Sequence, residues 1–101
     1  MRVIRSETFS RWLDDLRDIE GRKQILNRLL RVNEGNLGDF RSIGAGLSEL
    51  RIHSGPGYRL YCSVRGQELI LLLVGGDKSS QMRDIRRARE ALADWDDSNG
   101  D

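Results

Sequence analysis

The chain of 101 residues has the length of a single domain, and its charged fraction of 33% is combined with a net charge of only +1. The one cysteine, Cys62, excludes a disulfide or a cysteine-based metal site within one chain. The longest apolar run, residues 69–74, is far too short to cross a bilayer, so we expect a cytoplasmic protein with no membrane partner.

The charges are distributed unevenly along the chain. The last eight residues hold four acids and no base, and without them 17 basic residues stand against 12 acidic ones, a net charge of +5 over residues 1–93. Fifteen of the 17 bases are arginine, whose planar guanidinium binds phosphate bidentately, although a GC-rich genome also explains this bias. We predict one folded domain at residues 1–93 and an acidic C-terminal tail at residues 94–101.

Apolar spacing predicts a strand and two helices in the first third of the chain. Residues 1–5 alternate weakly and predict a short strand. Ser6 is a suitable N-cap for a first helix that runs to about residue 20, and Gly21 is expected to separate it from a second helix. The apolar residues of the second helix are Ile25, Leu26, Leu29 and Leu30.

The rest of the chain predicts strands followed by one helix. Residues 40–43 predict a short strand, and residues 47–65 predict a β-hairpin with its turn at residues 55–57. The run LILLLV within residues 67–74 lacks alternation, so we expect the central strand of the sheet there, covered on both faces or flanked on both edges. Residues 75–78 predict a tight exit from it. Ser79 or Ser80 should cap a third helix with an apolar stripe at Met82, Ile85, Ala88, Leu92 and Trp95.

This order of elements predicts an α+β domain with an antiparallel or mixed sheet. Within its hairpin, Cys62 falls on the apolar side, as expected of a small core residue rather than a nucleophile. The apolar sides of the two strands agree only if paired residue numbers sum to an even value, which allows Ser54 opposite Tyr58 or His53 opposite Gly57. Either register places the same five polar residues on one exposed face of the hairpin. This face is either a binding surface for an anionic partner or an ordinary solvated surface. The set consists of Glu49, Arg51, His53, Arg59 and Tyr61.

Three segments together resemble a known family. They are FSRWLDDLRDIEGRKQILNRL in the helical part, GNLGDFRSIGAGLSELRIHSGPGYRLY at the hairpin and LLLVGGDKSSQMRDIRRA before the last helix. Over roughly residues 7–93 the chain resembles the RelE/ParE superfamily of toxins from type II toxin-antitoxin modules, and within it the HigB-like, phage Gp49-like addiction module killer group. The resemblance implies a RelE-like fold. An N-terminal strand and a helix pair pack on a mostly antiparallel sheet of about four or five strands in this fold, and a C-terminal helix follows.

The resemblance also implies a function. The protein would be a ribosome-dependent mRNA endonuclease that needs neither a metal ion nor a cofactor. A cognate antitoxin, expected to be a helix-turn-helix protein, would neutralise it by forming a hetero-oligomer with it. In such a reaction the ribose 2′-hydroxyl attacks the adjacent phosphate and the 5′-oxygen leaves, which requires a proton acceptor, cations and a proton donor. Two alternatives stay open: a DNA gyrase poison of the ParE type, and an inactive relative that only binds the antitoxin.

Three cations match positions that the family uses for phosphate. Arg59 matches the strand arginine that contacts the phosphate, Arg51 the basic residue of the neighbouring strand, and Lys78 the lysine that closes the last strand. The resemblance therefore implies catalytic and RNA-binding roles for these residues. For each of them, the alternative is a surface cation in an ordinary ion pair.

The chain differs from the strongest nucleases of the superfamily, because it lacks their lysine-rich strand and their C-terminal Tyr or His. His53 is the only histidine and the only side chain with ready proton-transfer chemistry near neutral pH. Tyr61 is a candidate to stack on a base or donate a proton. Gln81 and Arg83 are further candidates for contact with RNA or with the antitoxin.

Overall fold

The computed structural model describes residues 1–99 and contains a five-stranded sheet with helices on both faces. Its strands join in the order β1-β5-β4-β3-β2, and every pair is antiparallel except β1 with β5. The α+β fold predicted from the sequence is therefore confirmed, including the C-terminal helix. In chain order the elements are β1 (Arg2–Arg5), α1 (Glu7–Asp15), α2 (Ile19–Asn33), β2 (Phe40–Gly44), β3 (Leu47–Ile52), β4 (Tyr58–Arg65), β5 (Leu69–Asp77), a 3-10 turn (Lys78–Ser80) and α3 (Gln81–Asn99).

Each face of the sheet carries its own apolar cluster. Helices α1 and α2 pack on one face through Phe9, Leu13, Ile25, Leu29 and Val32, against strand residues that include Leu50, Leu60 and Cys62. Helix α3 packs on the other face through Ala88 and Leu92, against Leu47, Tyr61 and Leu71. The predicted core position of Cys62 is confirmed, and burial raises the pKa of its thiol to about 12.

Strand β5 is an interior strand that is buried on both faces. It pairs with β1 on one edge and with β4 on the other, which confirms the coverage predicted from its unbroken apolar run. Its predicted central position was wrong, because β4 occupies the middle of the strand order. The reason is connectivity: β2, β3, β4 and β5 follow each other as antiparallel neighbours, so only β1 is added beyond β5.

The helix pair breaks earlier than the sequence predicted. Helix α1 ends at Asp15, and Asp18 caps α2 by accepting a hydrogen bond from the Gly21 amide at 3.0 Å. Gly21 thus lies in the first turn of α2, where a Cβ would come within 2.5 Å of the Tyr58 ring. The Tyr58 hydroxyl donates to Asp18 Oδ2 at 2.6 Å, and this bond holds the pKa of the Asp18 carboxyl below its ordinary value. The start of α2 is therefore fixed to the start of β4.

Two glycines near the end of β5 allow close approach from both sides of the sheet. The sequence predicted a tight exit at residues 75–78, but β5 continues to Asp77, so this prediction was wrong. A Cβ at Gly75 would overlap the Trp12 ring of α1, and a Cβ at Gly76 would overlap the Asp84 carboxylate of α3. These positions require glycine for packing rather than for a turn.

We expect the substitution Gly75→Ala to lower the free energy of unfolding by about 1–3 kcal/mol, because the added methyl group displaces the Trp12 ring. Urea denaturation with an unchanged m-value measures the effect. The double variant with Trp12→Leu should be more stable than the sum of the two single effects predicts, since the smaller side chain leaves room for the methyl group. Additive effects would contradict the proposed overlap.

The start of the third helix is also organised differently from the prediction. A 3-10 turn that contains Ser79 and Ser80 precedes α3, and Asp77 caps this turn by accepting a hydrogen bond from the Ser79 amide at 2.8 Å. Met82 was predicted to lie in the apolar stripe but is 82% exposed. The fully buried side chains of α3 are Asp84, Ala88 and Leu92, with Ile85 and Trp95 packed at the margin.

Helix α3 extends to Asn99 and so includes most of the segment that was predicted to be an acidic tail. Arg65 at the end of β4 donates to Asp96 Oδ1 at 2.8 Å, which ties this segment to the sheet. Gly100 and Asp101 of the predicted tail lie outside the described residues, and the boundary at residue 93 stays a prediction. Among residues 1–99, neither α3 nor any other helix has the length and hydropathy needed to span a membrane.

Candidate functional site: a cationic cleft beside the hairpin turn

The pairing of β3 with β4 decides which polar residues meet. Arg51 lies directly opposite Arg59, and Glu49 lies opposite Tyr61. Of the two registers that the sequence allowed, the structure has the one that continues to His53 opposite Gly57. Two guanidinium groups from adjacent strands therefore leave the sheet on the same face. This is the face that α3 covers further along the strands, and not the face that carries α1 and α2.

A cleft of about 510 Å³ opens where this face meets the hairpin turn. We call it the hairpin cleft; it is lined by residues 51–59 and by Lys78. The turn is kept narrow by a hydrogen bond from the Gly57 amide to the Ser54 carbonyl at 3.0 Å, and Gly55 and Gly57 adopt positive φ angles of 52° and 79°. The structure thus brings four of the predicted site residues to one cavity: Arg51, His53, Arg59 and Lys78.

A buried carboxylate lies behind the hairpin cleft. The Glu49 side chain is only 1% exposed, and its Oε1 accepts a hydrogen bond from Arg51 Nε at 2.8 Å. Arg59 Nε lies 3.8 Å from Oε2, and Arg41 Nε lies 3.8 Å from Oε1. One negative charge therefore faces three positive charges, which leaves an excess of two positive charges in this cluster. The predicted exposed position of Glu49 was wrong.

Arg59 is the cation with the most unused binding capacity. Its side chain is only 12% exposed, and its Nε and Nη1 atoms are buried without a hydrogen bond to any residue in the range 1–99. The 3.8 Å approach to Glu49 is an ion pair and is too long for a hydrogen bond. Desolvated guanidinium donors gain most from an anion that accepts their hydrogen bonds. Arg59 therefore brings to the wall of the cleft a positive charge that attracts a phosphate.

Arg51 is held more firmly than Arg59. Its Nε is engaged by Glu49, its amide donates to the Asp39 carbonyl at 3.0 Å, and its carbonyl accepts a hydrogen bond from Arg28 Nη2 at 2.8 Å. The Arg51 side chain is partly exposed and forms part of the cleft wall. Arg51 is thus suited to hold a fixed positive charge beside Arg59.

Tyr61 lies outside the cleft, contrary to the predicted exposed position. It is fully buried beneath α3, together with Leu71, Ala88 and Leu92. Burial, and secondly the charge of Glu49, raise the pKa of its phenol to about 12, and its hydroxyl has no hydrogen-bond partner within residues 1–99. In this arrangement Tyr61 contacts neither a base nor solvent. Strand alternation placed it correctly on the face of Arg59 but did not show that α3 covers that part of the face.

The remaining candidates lie at the other side of Lys78. Residues 78–83 line a second cleft, so Lys78 borders both cavities while Gln81 and Arg83 border only this one. The Arg83 side chain is exposed, and its Nε lies 3.7 Å from Asp84 Oδ1. Gln81 and Arg83 are therefore adjacent to the hairpin cleft but do not line it.

His53 stands exposed at the rim of the hairpin cleft, and its Nε2 lies 2.6 Å from Asp39 Oδ2. The hydrogen bond with His53 is the main cause that holds the pKa of the Asp39 carboxyl below its ordinary value. No local pattern in the sequence singles out Asp39, which is 14 residues away along the chain. Only the pairing of β2 with β3 brings the two side chains together.

Comparison with known proteins identifies a relative. No protein-family model matches the chain. Over 82 residues the chain is 43% identical to an uncharacterized protein of Haemophilus influenzae, and the match covers 81% of this chain and 83% of the relative. The chain belongs to the same family as this Haemophilus protein.

The fold has a counterpart among solved structures. A double arginine-to-alanine variant of the Escherichia coli toxin RelE in the free state matches with a TM-score of 0.68, over 87% of this chain and 93% of the RelE chain. The chain has the RelE fold, as the sequence predicted. Because only 16% of the matched residues are identical, the match establishes the fold but does not assign a role to any residue of this chain.

Proposed function

We propose that this protein is the toxin of a type II toxin-antitoxin module, of the HigB-like group, and that it cleaves mRNA on the ribosome without a metal ion. The observation that supports this best is the convergence of Arg51, Arg59 and Lys78 on one cleft in a chain with the RelE fold. The volume of the hairpin cleft is within the range of small-ligand pockets, so the cleft can receive the phosphate and ribose of a nucleotide.

The charges of the cleft suit the chemistry of RNA cleavage. Attack of a 2′-hydroxyl on the neighbouring phosphate concentrates negative charge on the phosphoryl oxygens. Arg59 provides a guanidinium at the cleft wall, Arg51 adds a second one held by Glu49, and Lys78 adds a positive charge next to the end of β5. His53 at the rim supplies the group for proton transfer.

We further propose that a helix-turn-helix antitoxin neutralises the protein in a hetero-oligomer and keeps RNA from the hairpin cleft. The excess positive charge around Glu49 favours an acidic segment of such a partner. Co-expression of the antitoxin should therefore restore growth, and the complex should fail to cleave mRNA on purified ribosomes.

Pulse-labelling after induction tests the proposal. Incorporation of labelled amino acids should fall first, before RNA and DNA synthesis decline, and new 5′-hydroxyl ends should appear within translated mRNA. A variant with Arg51, Arg59 and Lys78 all replaced by alanine serves as the matched control. Accumulation of cleaved DNA with a damage response would instead identify a gyrase poison of the ParE type. Harmless expression would identify an inactive relative, and either result would overturn the proposal.

A further inference from the structure

We propose that Asp39 is a positioning residue that fixes the His53 imidazole in one tautomer, with its Nδ1 atom available as the proton acceptor of the hairpin cleft. This inference rests on the proposed RNA cleavage for its functional consequence. Its structural part, the pairing of the two side chains, is independent of that function.

The Asp39 backbone is held in place by two other contacts. Its carbonyl accepts a hydrogen bond from the Arg51 amide at 3.0 Å and is approached by Arg28 Nη1 at 3.5 Å. Asp39 immediately precedes β2, and His53 immediately follows β3, so the pair joins the ends of two neighbouring strands. The carboxylate is therefore presented to the ring from a fixed position rather than from a free loop.

The hydrogen bond determines which ring nitrogen carries the proton. An ionised carboxylate only accepts hydrogen bonds, so the 2.6 Å contact with Oδ2 requires a proton on Nε2. In a neutral imidazole the other nitrogen, Nδ1, then holds the lone pair. A ring without such a partner exchanges between both tautomers and spends only part of its time ready to accept a proton at Nδ1.

The carboxylate also offsets the positive charges around the ring. Proton transfer makes the imidazole cationic, which nearby cations oppose and a nearby anion favours. Asp39 supplies the negative charge in direct contact with His53. Four positive groups border the ring or its partner: Arg28 from α2, Arg51 from β3, Arg59 from β4 and Lys78 from the turn after β5. The carboxylates of Glu49 and Asp18 lie farther away, against Arg51 and beside Gly55.

In the proposed cleavage step, His53 accepts one proton and then releases it. The Nδ1 lone pair of His53 takes the proton from the ribose 2′-hydroxyl, and the 2′-oxygen forms a bond to phosphorus. The bond between phosphorus and the 5′-oxygen breaks, the 5′-oxygen keeps the electron pair and takes a proton from water, and the imidazolium returns its proton to solvent. The products are a 2′,3′-cyclic phosphate and a 5′-hydroxyl end.

Nitrogen-15 NMR of the side chain tests the pairing directly. His53 is the only histidine, so its ring resonances need no assignment by mutation. The neutral ring should show the tautomer protonated at Nε2, the variant Asp39→Ala should show a mixture, and Asp39→Asn, whose amide oxygen still accepts a hydrogen bond, should restore part of the preference. In the variant His53→Gln the Asp39 carboxyl pKa should rise towards its ordinary value. A ring protonated at Nδ1, or a tautomer unaffected by Asp39→Ala, would overturn the proposal.

A double-mutant cycle on cleavage tests the functional consequence. We expect His53→Gln to lose about 100-fold in the rate of cleavage and Asp39→Ala about fivefold. The double variant should be no slower than His53→Gln, because Asp39 acts through the ring. Glu68→Gln, which removes an exposed carboxylate from the turn at the far end of β4, should match the wild type.

Additive losses in the double variant would show that Asp39 does not act through His53. A wild-type protein that cleaves no RNA under any condition would overturn the proposed function and the proton-transfer role together. The NMR result separates these cases, because it reports the pairing of Asp39 with His53 whether or not the protein cleaves RNA.

Discussion

Replacing Arg59 with alanine is expected to reduce ribosome-dependent mRNA cleavage at least about 100-fold, and to abolish growth arrest, while the protein stays folded. The reason is that Arg59 provides one of the three positive charges that line the hairpin cleft. Because Glu49 keeps its hydrogen bond with Arg51, loss of the longer ion pair with Arg59 should lower the free energy of unfolding by about 1–3 kcal/mol, which leaves the protein folded. Single-turnover cleavage on purified ribosomes and urea denaturation measure the two quantities.

Arg65 provides the matched control for this prediction. It lies on the same strand at the end away from the hairpin cleft, is 41% exposed and pairs with Asp96 at 2.8 Å. Arg65→Ala should therefore arrest growth as the wild type does. Arg59→Lys should fall between wild type and Arg59→Ala, because lysine keeps the charge but lacks the planar fork that binds phosphate bidentately. Full arrest by a stable Arg59→Ala protein would remove this residue from the mechanism.

The second large effect is expected on stability. Glu49→Ala should lower the free energy of unfolding by about 3 kcal/mol, because it removes the carboxylate from a buried ion pair and leaves Arg51 and Arg59 facing each other. For a domain of this length such a loss lowers Tm by very roughly 10–20 °C. Thermal and urea denaturation measure the effect.

Two further variants separate charge from packing in this cluster. Arg41→Ala removes a cation that is 59% exposed and 3.8 Å from Glu49, so it should change the free energy of unfolding by less than about 1 kcal/mol. Glu49→Gln keeps the size and one hydrogen bond to Arg51 but not the charge, and should be less destabilising than Glu49→Ala. Wild-type stability in Glu49→Ala would mean that the three arginines do not depend on this carboxylate.

The sequence by itself determined the types of the elements and the relation between the two hairpin strands. Apolar spacing identified the strands and the three helices, because a helix or strand buries one side and its period is local information. The requirement that apolar sides agree reduced the hairpin to two registers, and both place Arg51 and Arg59 on the same face. The resemblance in three segments then pointed to the RelE fold, which the structure confirms.

Tertiary structure decided what lies on each face of the sheet. Strand alternation shows that Glu49, Arg59 and Tyr61 share a face, but only the folded structure shows that Glu49 and Tyr61 are buried while Arg59 remains at a cleft. The same holds for Gly75 and Gly76, which look like a turn and are glycine because Trp12 and Asp84 approach them from distant helices.

The pair formed by Asp39 and His53 is the clearest case, since neither residue has a local pattern that points to the other. Their contact depends on the pairing of β2 with β3 and on the turn that ends β3. The local periodicity of the sequence indicates which residues share a surface, because backbone geometry determines which side chains of a helix or strand point to the same side. Which other segment covers that surface depends on contacts between residues far apart in the chain, and these appear only when the chain is folded.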